Sequence, residues 1–162
     1  MRNTALLVGL LFATGAMTTV NAQYNIDSLM IGGQPSPELL HSIAADGYEA
    51  VLSVRAPGEI DWDEAALVDS LGMIFVNIPM PNPVSEITDE QLEQFDTFMS
   101  ANKRSFLHCG SGNRISGLWA TWLIEYRDVD PAEALARAEA RGMRPNMREV
   151  VEKRLPVEKT EH

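Results

Sequence analysis

Short apolar stretches alternate with amphipathic segments through the middle of the chain. Residues 29–31, 50–54, 73–78 and 105–108 are bounded by turn-forming residues, which is typical of β-strands. The segments between them carry apolar side chains at helical spacing, as Leu92, Phe95 and Phe98 show in one of them. The stretch 73–78 is almost continuously apolar, so we expect that strand to be buried on both faces of a parallel sheet.

Capping signals mark the helix starts that this pattern predicts. Ser36 before Pro37 predicts an N-cap followed by proline in the first turn, and Thr88 with Gln91 predicts a capping box. Strands and helices alternate four times, and only helices follow. This order predicts an α/β fold with a mostly parallel central sheet flanked by helices.

The first residues have the pattern of a secretory signal peptide. A cation at Arg2 precedes an apolar stretch at 5–17, and small residues lead to Ala22. We predict that residues 1–22 are removed and that residues 23–162 form a single domain, exported to the bacterial periplasm or secreted. The apolar stretch is shorter than the roughly 20 residues of a membrane span, so no stable membrane insertion is expected after cleavage.

Charge and cysteine content exclude several classes of function. The chain has 13 basic and 23 acidic side chains and a formal net charge of −10, which repels polyanions, so we expect no nucleic-acid partner. Its single cysteine cannot form an internal disulfide. One cysteine and three scattered histidines do not make a metal site, and no cofactor is expected.

That cysteine lies in the stretch HCGSGNRISG, between a predicted strand and a predicted helix. Ligands bind to parallel sheets at such strand ends. Gly110 and Gly112 let consecutive N–H groups point at one centre, and the helix that begins near Arg114 adds its positive end. We therefore predict an oxyanion site formed by Gly110, Ser111, Gly112, Asn113 and Arg114.

The same groups favour a thiolate at Cys109, which becomes the predicted nucleophile. Ser116 is predicted to donate a hydrogen bond to the sulfur. His108 either orients the loop or is a buried strand histidine with satisfied hydrogen bonds. Arg55 either helps to hold the anion or pairs with Glu59. A structural thiol and a simple anion-binding module are the alternatives to catalysis.

The stretch resembles the active-site loop of cysteine-dependent tyrosine and dual-specificity phosphatases, which reads His-Cys, five residues, Arg, Ser or Thr, Gly. Residues 108–109 and 116–117 match in register. Arg114 comes one residue early, and Ile115 stands where the phosphatase arginine belongs. Four residues between Cys and Arg is the spacing of rhodanese-type sulfurtransferases, in which the cysteine carries a persulfide.

Residues 28–143 as a whole resemble the bacterial phosphatase-like domains that also occur fused to β-lactamase-fold hydrolases. This resemblance implies a cysteine-phosphatase-like fold. The shared features are Gly33-Gln34-Pro35, Val54-Arg55-Ala56-Pro57-Gly58-Glu59, Ile78-Pro79, Cys-x-Ser-Gly-x-Arg and Leu118-Trp119-Ala120.

The resemblance also implies an aspartate that protonates the leaving group, on the loop after the third strand. Residues 79–88 contain no aspartate, and Glu86 is their only carboxylate, so Glu86 is either the acid or a solvated loop residue. We predict a phosphatase-like enzyme that hydrolyses a small anionic or phosphorylated substrate, a phosphomonoester, through a Cys109 thiophosphate. The alternatives are a sulfurtransferase with a Cys109 persulfide and a non-catalytic oxyanion-binding module.

Overall fold

The structure of the protein is a computed structural model that describes residues 28–155. The predicted signal peptide, residues 1–22, lies outside the described residues, so its cleavage and the export of the chain stay predictions. No helix within 28–155 is long and apolar enough to cross a membrane.

Four strands alternate with helices in the described part of the chain, and the last three helices follow one another. The strands are β1 Leu29–Gly32, β2 Ala50–Ser53, β3 Ile74–Asn77 and β4 Ser105–His108. The helices are α1 Pro37–Ala45, α2 Glu64–Ser70, α3 Asp89–Ala101, α4 Asn113–Arg127, α5 Pro131–Glu139 and α6 Pro145–Arg154. The predicted helix starts are confirmed: Ser36 caps α1, and Thr88 and Gln91 form the capping box of α3.

The four strands form one parallel sheet in the order β1-β4-β2-β3. The last strand in sequence therefore lies inside the sheet, and Phe106 of β4 is level with Met30 of β1 and with Val51 of β2. Helices cover both faces, which confirms the predicted fold class. The segment that leaves the carboxyl end of β4 begins between the ends of two neighbouring strands, where parallel sheets bind ligands.

The prediction that the third strand is buried on both faces is wrong. β3 is an edge strand, and Ile74 is 55% exposed. Its apolar composition has another cause, because Phe75 packs on the core cluster of one face and Val76 on that of the other. Helices on both faces extend to this edge, so the strand needs apolar side chains on both sides although it has one neighbouring strand.

The core has two layers, one on each side of the sheet. The larger layer contains Leu52, Leu107 and Trp119, and the smaller one contains Leu40 of α1 and Phe106. The larger layer surrounds α4, in which every residue from 114 to 123 is buried. A helix buried all round is held rigidly by its neighbours, and α4 carries the candidate chemistry at its first turn.

Candidate active site

Residues 109–113, here called the cysteine loop, comprise the connection from β4 to α4 and the first residue of α4. Cys109 is 1% exposed, whereas Gly110 and Ser111 are exposed, so the sulfur lies beneath surface peptide groups. The N–H of Gly112 donates a hydrogen bond to the sulfur at 3.1 Å. Gly112 has φ +84°, and a Cβ there would lie 3.3 Å from the carbonyl oxygen of Arg141, so both its conformation and its surroundings favour glycine.

The β1–α1 connection braces the cysteine loop from outside. The carbonyl oxygen of Gly110 accepts a hydrogen bond from the N–H of Gln34 at 3.3 Å, and Gly33 pairs with Ser111 in an antiparallel bridge. Because a trans peptide places its C=O and N–H on opposite sides, the N–H of Ser111 points away from Gln34. One peptide of the loop is thus oriented with its donor turned away from the brace, as an anion site requires.

Arg114, in the first turn of α4, is buried with its guanidinium held in place by Glu59. Nη1 donates to Oε1 of Glu59 at 2.6 Å and to the carbonyl oxygen of Met80 at 3.0 Å, and Nη2 donates to Oε2 of Glu59 at 2.5 Å. These bonds to Glu59 are the main reason that the pKa of Arg114 is raised, and the proximity of Cys109 raises it further. Arg114 in turn lowers the pKa of Glu59.

The edge of this guanidinium that faces the cysteine loop keeps two donors. A guanidinium has five N–H groups, and the bonds to Glu59 and Met80 use three of them. The remaining pair, on Nε and Nη2, lies side by side in the geometry that binds two oxygens of a phosphate. Nη2 is 3.8 Å from the position of a Cβ on Gly110, so this edge borders the loop.

A second polar cluster lies on the other side of the sheet, and sequence reasoning missed its central residue, Glu64. Arg55 donates a hydrogen bond from Nη2 to Oε2 of Glu64, so the predicted pairing of Arg55 with Glu59 is wrong, because Glu59 holds Arg114 instead. The alternative, that Arg55 helps to hold the anion, stays a prediction. Acidic residues are common in the first turn of a helix, where they face solvent and interact favourably with the helix dipole. Nothing in the sequence therefore distinguishes Glu64 from such a surface residue.

His108 belongs to this second cluster. Its ring stacks on Phe106, with centroids 5.3 Å apart and planes 11° apart. Nε2 lies 3.2 Å from Oε1 of Glu64, and Nδ1 lies 3.4 Å from the carbonyl oxygen of Cys109. The ring is buried and contacts the backbone of the cysteine loop, and the two roles predicted for His108 stay predictions.

Solved structures match the chain, whereas no family model and no curated protein sequence does. Tk-PTP in its active form aligns with a TM-score of 0.62 at 21% identity, over 76% of this chain and 90% of that one. A candidate phosphatase from Neisseria meningitidis z2491 gives 0.64 at 21% identity, over 77% and 92%. PTPMT1 gives 0.61 at 20% identity, over 77% and 87%.

The chain has the fold of the cysteine-dependent phosphatases. This confirms the fold that the resemblance implied. Cys109 and Arg114 stand at the strand-to-helix connection, with the arginine one residue nearer to the cysteine than the phosphatase loop pattern has it.

Two side chains predicted for the candidate site are engaged elsewhere. The hydroxyl of Ser116 donates its one proton to the carbonyl oxygen of Arg141 at 3.0 Å, so it does not stabilise the sulfur. Asn113 accepts a hydrogen bond from the N–H of Arg144 at 2.7 Å and donates to Asn146 at 3.2 Å. Both side chains fasten the start of α4 to residues 141–146, at the connection between α5 and α6.

Glu86, the predicted acid, is not among the contacts of the cysteine loop. It lines a cavity of about 210 Å³ together with Lys153 and Arg154, and no residue of the cysteine loop lines that cavity. In the described range 28–155, no three or more His, Cys, Asp or Glu side chains are grouped so that they could hold a metal ion. The site is thus built from one thiol, backbone amides and one arginine.

Proposed function

We propose that the protein is a cysteine-dependent phosphatase that hydrolyses a phosphomonoester through a Cys109 thiophosphate. The observation that carries this proposal is the arrangement of Arg114, whose guanidinium is fixed by Glu59 on one edge and offers two N–H groups to the cysteine loop on the other. Such preorganised donors stabilise the charge that develops on the equatorial oxygens during phosphoryl transfer. The phosphatase fold supports the same reaction.

In the first step the thiolate of Cys109 attacks phosphorus. The S–P bond forms, the P–O bond to the leaving group breaks, and the leaving oxygen takes the electron pair. In the second step a water molecule attacks phosphorus and loses a proton to solvent, the S–P bond breaks, and the thiolate and inorganic phosphate are regenerated. The loop amides and Arg114 hold the phosphoryl oxygens in both steps.

The connection from β3 to α3 supplies no acid aimed at the cysteine loop. The connection that precedes α3, residues 79–88, offers Glu86 as its only carboxylate, and that side chain lies beside Lys153 and Arg154. A leaving group that is itself a stable anion needs no proton donor in the transition state. We therefore propose substrates with an acidic leaving group, such as aryl phosphates, ahead of simple alkyl phosphates.

A direct assay separates this proposal from sulfur transfer. The purified protein is incubated with para-nitrophenyl phosphate, with an alkyl phosphate, with a phosphoinositide because PTPMT1 has been solved in complex with PI(5)P, and with thiosulfate plus cyanide. We expect phosphate release, fastest from the aryl ester, and none from Cys109→Ser. Intact-mass analysis after acid quench should show one phosphoryl group on the single cysteine.

Other results would contradict the proposal. In sulfur transfer the thiolate attacks the outer sulfur of thiosulfate, an S–S bond forms and sulfite leaves, and cyanide then takes that sulfur as thiocyanate. Thiocyanate formation without phosphate release would make the protein a sulfurtransferase, which the four-residue spacing between Cys109 and Arg114 favours. Binding of phosphate or sulfate without turnover of any substrate would make it an anion-binding module.

We also propose that the protein acts outside the cytoplasm. The signal pattern of residues 1–22 supports export, and a thiol that is 1% exposed is shielded in an oxidising compartment. N-terminal sequencing of protein from the periplasm and the medium tests this, with cleavage after Ala22 as the expected result. Full-length protein confined to the cytoplasm would refute it.

A further inference from the structure

Glu64 is a buried carboxylate on the side of the sheet opposite to Cys109. Its side chain is 2% exposed, although it begins α2, where acidic side chains usually face solvent. Cys109 belongs to the larger core layer. His108, which approaches Glu64, stacks on Phe106 of the smaller layer. Burying a carboxylate is costly unless specific partners replace water, so its position requires an explanation.

The partners of Glu64 come from the carboxyl ends of three different strands. Oε2 accepts the hydrogen bond of Arg55, which follows β2. Oε1 lies 3.2 Å from Nε2 of His108, the last residue of β4, and 3.4 Å from Nε2 of Gln34, which follows β1. One carboxylate therefore connects the ends of β1, β4 and β2, the three adjacent strands beneath the site.

Two of these partners also hold the cysteine loop. His108 is bonded to Cys109, and its Nδ1 lies 3.4 Å from the Cys109 carbonyl oxygen. The backbone N–H of Gln34 donates to the carbonyl oxygen of Gly110. The first two peptide groups of the loop are thus each contacted by a residue whose side chain approaches Glu64.

Stability alone does not account for this cluster. A buried ion pair is often no more stabilising than apolar side chains of the same volume. Gln34 Oε1, Arg55 Nε and His108 Nε2 are moreover buried without a hydrogen-bond partner among the described residues. Unsatisfied buried groups are few in folded proteins, and three around one carboxylate lower the stability that the cluster contributes. What the cluster does provide is a fixed geometry.

We propose that Glu64 is a positioning residue for the cysteine loop: through His108 and Gln34 it keeps the loop closed over the sulfur of Cys109. Its effect on turnover rests on the proposed function, whereas its effect on the access of reagents to the sulfur does not. Loss of the carboxylate should loosen the loop, which exposes the thiol to small neutral reagents and misplaces the amides that bind the transition state.

The test compares Glu64→Gln with Glu64→Asp and with Glu133→Gln, which removes the same charge from an exposed pair with Arg137. Alkylation of the single cysteine by iodoacetamide is followed by intact mass across pH, and the plateau rate at high pH reports access to a fully ionised sulfur. Hydrolysis of para-nitrophenyl phosphate gives kcat and KM. All measurements are made where denaturation curves show every variant folded.

For Glu64→Gln we expect a plateau alkylation rate about fivefold higher than that of the unchanged protein, the effect of about one lost hydrogen bond on local opening. We expect kcat to fall about tenfold or more while KM changes little. Glu64→Asp should have a plateau alkylation rate and a kcat between those of Glu64→Gln and the unchanged protein. Glu133→Gln should have the same alkylation rate and kcat as the unchanged protein. A plateau alkylation rate for folded Glu64→Gln within twofold of that of the unchanged protein would overturn the proposal.

The two proposals fail separately. If the unchanged protein releases no phosphate but the alkylation rates differ as expected, the phosphatase proposal fails and the role of Glu64 stands. If phosphate is released and the alkylation rates are equal, the phosphatase proposal stands and the role of Glu64 fails. Should Glu64→Gln not fold because Arg55 is left unpaired, the variant with Arg55→Met and Glu64→Gln removes both charges. It should show the same faster alkylation, and a rate equal to that of the unchanged protein would refute the proposal.

Discussion

Replacing Glu59 by glutamine should impair both stability and turnover, because Glu59 fixes the guanidinium of Arg114. The pair is partly shielded: the side chain of Glu59 is 26% exposed and that of Arg114 is 7% exposed. A hydrogen bond between charged groups contributes about 1.5–3 kcal/mol, and glutamine keeps one acceptor oxygen of the two. We expect the free energy of unfolding to fall by about 2 kcal/mol, which lowers Tm by about 6–10 °C in a domain of this size.

The effect on turnover should exceed the effect on stability. A guanidinium released from Glu59 can turn its free edge away from the cysteine loop, and a misplacement of about 1 Å costs about 10²-fold in rate. We therefore expect kcat/KM for para-nitrophenyl phosphate to fall about 10²-fold in Glu59→Gln. Glu139→Gln, which breaks the exposed pair with Arg148, is the matched control and should leave kcat/KM unchanged.

Acid titration gives an independent check of the same pair. Arg114 lowers the pKa of Glu59 below its ordinary value of 4.5, so the ion pair stabilises the fold fully above that value. Its contribution is lost as pH falls through the lowered pKa of the folded state. The difference in unfolding free energy between the unchanged protein and Glu59→Gln should therefore shrink in acid. A constant difference from pH 7 to pH 3, or a kcat/KM that rises in Glu59→Gln, would refute the reasoning.

Three further substitutions test the packing around the site. In Gly33→Ala the new Cβ would lie 3.1 Å from the carbonyl oxygen of Gly110, so the cysteine loop should shift and kcat/KM fall about 10²-fold; unchanged kinetics would contradict this. In Gly117→Ala the Cβ would lie 2.5 Å from two carbons of Met147, and overpacking of about 1–3 kcal/mol should outweigh a helix-propensity gain of about 1 kcal/mol in denaturation curves. Adding Met147→Ala should relieve that clash, and strictly additive effects would show that the two residues do not meet. Cys109→Ser should abolish phosphate release, since a hydroxyl is a far weaker nucleophile than a thiolate; a rate within twofold of that of the unchanged protein would contradict this.

The local pattern of the sequence was sufficient to predict the strands, the helices and their order. The capping residues Ser36 and Thr88 act within a few positions of the helices they start, so their effect can be predicted from the local sequence. The position of β3 at the edge of the sheet could not be predicted in this way. Apolar side chains on both faces of β3 indicate that helices pack on both sides of it. They do not indicate whether β3 has one neighbouring strand or two.

The candidate site divides in the same way. The cysteine loop and Arg114 are contiguous in sequence, so their residue types and spacing were enough to predict an anion site. The carboxylates that support it are distant in sequence. Glu59 lies in a loop rich in acidic residues and Glu64 begins the helix that follows it, a pattern typical of a solvated surface. Only the path of the chain over the end of the sheet brings the two carboxylates to Arg114 and His108.

The order β1-β4-β2-β3 also bears on how the protein reaches its native state. β4 enters between two strands that precede it in sequence, so no neighbour of β1 exists until most of the described chain is available. Pairings between segments so far apart have a high contact order, which slows folding and leaves β1 and one edge of β2 exposed meanwhile. A chain interrupted before residue 105 would lack the centre of its sheet as well as its nucleophile, and aggregation through those open edges is its expected fate.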